Sequence, residues 1–194
     1  MRTVHINRKT NFRKFNIVTC LLTTASILTF SSCKDDPQPT NEEELITTLQ
    51  IELTPLVGDE VTLEFFDADG DGPQAPVFTP PVAALKSNTT YAATITLLDE
   101  TKSPVKNMTD EIAAEKDDHL FCFEVEGTDI AIVYDDEDGN GNPVGISTNW
   151  GTGDSGAPGV LKVTLRHQPG TKNGNCPGGG ENDIEVTFVV KIVD

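Results

Sequence analysis

Two short acidic segments carry the residue types best suited to chemistry. Asp67-Ala68-Asp69-Gly70-Asp71-Gly72 and Asp136-Glu137-Asp138-Gly139-Asn140-Gly141 both fit D-x-D-x-[DN]-G, at an offset of 69 residues. That spacing gathers alternate side-chain oxygens into one concavity, and glycine permits the sharp turn. Hard cations such as Ca²⁺ take oxygen ligands of this kind. Asp67, Asp69, Asp71, Asp136, Asp138 and Asn140 are therefore the candidate ligands for a calcium-like ion. Neither segment is an EF-hand, because loop position twelve is Phe78 in one copy and Ser147 in the other, not Glu. An ion would need further oxygens, from Asp129 or Asp135. The same segments also read as hairpin turns, since Asp-Gly and Asn-Gly supply the positive φ that tight turns need. Both readings stand at this level.

Softer ligands are fewer. His119 and His167 could hold a transition metal or haem, and His119 lies beside Asp117 and Asp118. Two surface histidines are the plainer reading. Cys122 and Cys176 are open to three readings: a disulfide, favoured by an oxidising compartment, two free thiols, or a mixed Cys/His metal site. A disulfide would tie the glycine-rich segment 169–180 to the strand around residues 120–126. Gly153-Asp154-Ser155-Gly156 imitates the nucleophile segment of chymotrypsin-like proteases. No small-residue run leads into His119, however, and some 150 folded residues are too few for that family's two barrels. Trp150, the one tryptophan, is either a core plug or a contact residue at a loop tip.

The elements that must position these residues read as strands. Period-two alternation sets Leu49, Ile51 and Leu53 on one face, then Val61, Leu63 and Phe65, then Tyr91, Ala93, Ile95 and Leu97. The pattern continues with Phe121, Phe123 and Val125; Ile130, Ile132 and Tyr134; Leu161, Val163 and Leu165; and Ile184 to Ile192. Strands with one apolar and one polar face belong to antiparallel sheets. Seven or eight of them with Gly/Pro/Asp turns predict an all-β, Ig-like antiparallel sandwich. Only Thr109–Lys116 looks helical, with Thr109 as N-cap. The repeated acidic loop and a matching strand offset (91–98 with 160–166) suggest two duplicated half-units.

The first 32 residues form an address. A cationic start (Arg2, Arg8, Lys9, Arg13, Lys14) precedes an apolar run from Phe15 to Phe30 and then Ser31-Ser32-Cys33, the pattern of a lipoprotein signal peptide. Cys33 becomes the acylated first residue, and multiple acyl chains give a stable anchor. Lys34-Asp35-Asp36 resembles a signal that exports lipoproteins to the outer face of the outer membrane; the alternative is the periplasmic leaflet. Residues 33–44 serve as a lipidated, acidic, flexible tether, and residues 45–194 as a single domain.

Charge narrows the function. The chain has 14 Lys+Arg against 31 Asp+Glu, a net of −17. Removal of residues 1–32 leaves nine basic groups and a net of −22. A surface of that sign repels phosphate, which disfavours nucleic acid as a partner.

The Cys33-Lys-Asp-Asp start, ITTLQIELTP, DADGDGP, TYAATITLLDE, DDHLFCFEV, DEDGNGNPVG, VTLRHQPGTK and GGGENDIEVTFVVKI together resemble a family of small bacterial outer-membrane lipoproteins. That family is labelled "type 1 periplasmic binding fold superfamily" and is commonly encoded beside TonB-dependent receptors. The label implies an α/β fold, which needs long helices that this sequence lacks. The resemblance implies a receptor neighbour that imports something scarce, and it assigns no functional residues. The resulting expectation is a non-catalytic outer-membrane lipoprotein that binds a cation or metal complex, assists a TonB-dependent receptor in nutrient capture, or does both. The alternative is an Ig-like adhesion or spacer module with no metal role.

Overall fold

A computed structural model describes residues 45–70 and 72–194. The signal peptide, Cys33, the tether and Asp71 lie outside the described residues. The remainder belongs to one compact unit, Asn41–Asp194.

Among the described residues, eleven strands and one helix follow in order: β1 Thr48–Pro55, β2 Val61–Phe66, β3 Val77–Thr79, β4 Ala83–Lys86, β5 Thr90–Asp99, β6 Lys106–Asn107, α1 Thr109–Ala114, β7 His119–Glu126, β8 Ile130–Tyr134, β9 Ser147–Thr152, β10 Gly159–His167 and β11 Glu181–Val193. They form two sheets. The larger runs β3-β2-β1-β5-β9-β8, with β6 paired to β5; the smaller runs β4-β11-β10-β7. All pairings are antiparallel except β4 with β11. The protein is thus an all-β sandwich. It has more strands than the seven or eight expected, because β3, β4 and β6 are too short to show alternation and β9 (STNWGT) is largely polar.

The alternating stripes build the core. Leu49, Ile51, Leu53, Tyr91, Ile95, Leu97, Leu161, Val163, Leu165, Phe188 and Val190 are buried as the periodicity requires. Each buried Leu or Ile contributes about 1.5–3 kcal/mol through apolar surface removed from water. Trp150 is fully buried among them, with Nε1 donating to Thr148 Oγ1 at 2.8 Å, which settles its role as a core plug. Thr109 is not the helix cap. Met108 holds that position, while the Thr109 hydroxyl accepts from Leu97 N–H at 2.7 Å and so fastens the short helix to β5. No helix among the described residues is long and apolar enough to cross a membrane.

The 69-residue echo does not extend to topology. β2 and β5 share a sheet, whereas their offset counterparts β8 and β10 lie in different sheets. The repeat is therefore one of turn chemistry rather than of half-sandwiches.

Candidate functional site: a braced loop platform

Strand directions place the loops. β1 starts beside the ends of β2 and β5, and β9 starts beside the middle of β5 and the end of β8. β2, β5 and β8 therefore run the same way, and both acidic loops leave the larger sheet at the same end, where the chain also enters at Leu45. Four strand spacings separate β2 from β8, about 19 Å at the usual strand separation, so one ion cannot bridge the two loops.

The second loop turns its carboxylates inward. Asp138 Oδ1 accepts from the N–H groups of Asn140 and Asn142, both at 2.8 Å. Its Oδ2 accepts from Asn142 Nδ2 at 3.3 Å and pairs with Lys172 Nζ at 3.1 Å; both charged side chains are essentially inaccessible to solvent. Burial alone would raise the Asp138 pKa. The donors from Asn142, Asn140 and Lys172 outweigh it and bring the carboxyl down to about 2. Asp136 accepts from Gly145 N–H at 2.7 Å and Ser147 N–H at 2.9 Å. Gly145 has φ +92°, and an added Cβ would stand 2.8 Å from Phe121 Cβ, so only glycine fits there. Asn140 is exposed at the loop tip. The position that a cation would occupy beside Asp138 is filled by a lysine ammonium.

The first loop is closed differently. Asp67 Oδ1 accepts from Asp69 N–H at 3.4 Å, and Asp69 Oδ2 accepts from Gln74 N–H at 3.3 Å. Asp69 Oδ1 is shielded from solvent yet has no hydrogen-bond partner among the described residues. Asp71, the third expected ligand, is outside the described residues.

Three loops are fastened together at this end. Lys172 also donates to Lys116 O at 2.6 Å, and Lys116 Nζ donates to Glu137 O at 2.9 Å. Asp117 Oδ1 accepts from Gly139 N–H at 2.8 Å. Asp118 accepts from Gly170 N–H at its side chain and from Gln168 N–H at its carbonyl. Cys122 and Cys176 form a disulfide that pins the glycine-rich loop to β7. Phe121, on the outer edge of β7, receives Val144 O at its N–H and the Tyr134 hydroxyl at its carbonyl, 2.7 Å each. The segments 115–118, 135–146 and 168–180 thus form one platform.

His119 and His167 do meet, as opposite members of the β7–β10 ladder, but not as ligands. Their rings are stacked 4.6 Å apart and 8° from parallel, so their in-plane lone pairs run side by side rather than converge on an ion. His119 is buried rather than on the surface. Among the described residues there is no group of three or more His, Cys, Asp or Glu that could hold a metal. Asp135 N–H donates to Ser147 O at 3.0 Å, and Asp129 O accepts from Gly153 N–H at 2.8 Å, backbone contacts that bring neither carboxylate to an acidic loop. Ser155 is exposed and donates to Asp194 Oδ1 at 2.6 Å, far in character from an activated nucleophile.

Sequence reasoning missed Lys172, Gln168 and Asp183. The only signal for Lys172 was its position as the single cation between two glycines of the long loop 168–180. No family model, curated protein or solved structure matches the chain.

Proposed function

We propose that the protein is a non-catalytic lipoprotein of the outer membrane that presents its braced acidic platform to a membrane-held partner, in the setting its resemblances imply a TonB-dependent receptor. One observation carries this reading: loops 115–118, 135–146 and 168–180 are locked to one another by a buried ion pair, backbone hydrogen bonds and a disulfide, at the end of the sandwich where the chain enters. Loops already fixed in place lose little freedom on binding, which favours recognition. The acidic surface favours a basic counterpart and adds speed and selectivity to the encounter more than affinity.

The test is mild detergent extraction of cells carrying the full chain, with mass spectrometry of what co-purifies at low and high salt. An outer-membrane receptor retained by the wild type at low salt, and lost from the Cys122→Ser/Cys176→Ser variant, supports the reading. A protein recovered alone under both conditions rejects it.

Cation capture is a second reading for the first loop, where Asp69 Oδ1 has no hydrogen-bond partner among the described residues. Calorimetric titration of the full chain with Ca²⁺ decides it: heat that disappears in Asp69→Asn but persists in Asp138→Asn places the ion in that loop.

A further inference from the structure

Beneath the platform, at the end of the smaller sheet, lie buried polar groups that neither reading uses. His119 and Phe121 are two residues apart on β7, so the imidazole continues the inner, core-facing row of that strand. His167 stacks on it from β10. The third member comes from an irregularity in β11. Leu165 pairs with Ile184 and Arg166 pairs with Asn182, which leaves Asp183 as an extra residue opposite none. In a regular ladder Asp183 and Ile184 would face opposite ways; a bulge re-aims the side chain. Here it brings Asp183 Oδ2 to 3.7 Å from His119 Nε2, with both side chains less than a tenth exposed. Asp183 Oδ2 has no hydrogen-bond partner among the described residues.

The proton on His119 is assigned by its other nitrogen. Nδ1 lies 3.1 Å from the Glu115 carbonyl, an acceptor only, so Nδ1 carries the hydrogen. In the neutral ring Nε2 is then a bare lone pair facing a carboxylate oxygen. Two acceptors face each other with no donor between them, a costly arrangement in a buried place.

We propose that His119 and Asp183 form a buried proton-sharing pair, in which one proton taken up between Nε2 and Oδ2 on mild acidification ties β7 to β11 across β10 under the loop platform. The charged and titratable groups around the pair are Glu115 and Asp118 before β7, Arg166 and His167 on β10, and Glu181 on β11. Burial holds His119 below its ordinary value, against the opposing pull of the Glu115 carbonyl. Burial pushes Asp183 up to about 6, with His167 and Arg166 opposing and Glu181 assisting.

The signs determine what to measure. A raised aspartate stabilises the fold in acid, and that contribution is lost as pH rises through about 6. A lowered histidine does the reverse, its contribution fading as pH falls below its ordinary 6.5. The two contributions carry opposite signs, so global stability is a poor reporter of the pair. The informative readout is therefore the imidazole itself.

The lipoprotein processing proposed above leaves two histidines, His119 and His167, so ¹⁵N-histidine NMR of the mature protein is tractable, with His167→Gln assigning the signals. The expected result is an Nδ1–H His119 at pH 8 and a single transition on acidification, below the ordinary imidazole value. Asp183→Asn lowers its midpoint by about one pH unit or more, a tenfold loss of proton affinity. Asp183→Glu retains the transition, and Glu181→Gln moves it far less than Asp183→Asn does. An Nε2–H tautomer in the wild type at pH 8 overturns the proposal without any variant. So does a His119 midpoint that is the same in Asp183→Asn as in the wild type.

Discussion

The two acidic loops share a motif and little else. Both follow an apolar strand of the larger sheet and both leave it at the same end. In the loop after β8, Asp136 and Asp138 accept six hydrogen bonds or ion-pair contacts between them, and Lys172 supplies the positive charge from 34 residues away. In the loop after β2, Asp67 and Asp69 accept two long hydrogen bonds from neighbouring N–H groups, and one oxygen has no partner among the described residues. An acidic turn motif specifies a bend. Whether its carboxylates hold the fold together or stay available is decided by what the tertiary structure delivers to them.

The largest effect that would break this contrast is removal of the lysine. Lys172→Met leaves Asp138 buried and unpaired and is expected to cost about 3–5 kcal/mol in urea denaturation. Removing the disulfide by Cys122→Ser/Cys176→Ser should cost about 2–4 kcal/mol and loosen the 168–180 loop, without touching the first loop. Gly145→Ala should cost about 1–3 kcal/mol, from strain at positive φ and contact with Phe121. Asp69→Asn in the first loop should change stability by no more than about 0.5 kcal/mol in the absence of added cations. A cost for Asp69→Asn equal to that for Lys172→Met would erase the distinction between the loops.

Acid sharpens the comparison further. Asp138 is held down at about 2 in the fold, against an ordinary 3.8. A depressed carboxyl stabilises the fold above its unfolded value, and the contribution disappears as pH falls from about 4 towards 2. Melting curves across that window should show a steeper loss in the wild type than in Asp138→Asn, which lacks this titration.

Much of the fold was legible in the sequence. The period-two stripes at 49–53, 91–97, 161–165 and 184–192 are direct records of one buried face per strand, because the pleat repeats every two residues. The Cys122–Cys176 disulfide was among three readings that composition left open. The rest was not legible, for identifiable reasons. Lys172 and Asp138 are partners only after β10 and the glycine-rich loop fold back over β7, and no local pattern encodes that. The bulge at Asp183 sits in an otherwise regular alternation, where strict period two would turn its side chain away from Ile184. Trp150 fills the core from a strand whose neighbours are mostly Ser, Thr, Asn and Gly, so alternation was too faint to orient it.

Native-state hydrogen exchange resolved by residue tests the central claim most directly, because it compares the two loops in one experiment. The account predicts that the Asn142 and Gly145 amides, bonded to Asp138 and Asp136, exchange roughly a hundredfold more slowly than those of Asp69 and Gln74. Lys172→Met should abolish that protection. Equal, rapid exchange in both loops of the wild type would contradict the account, since there would then be no braced platform to present.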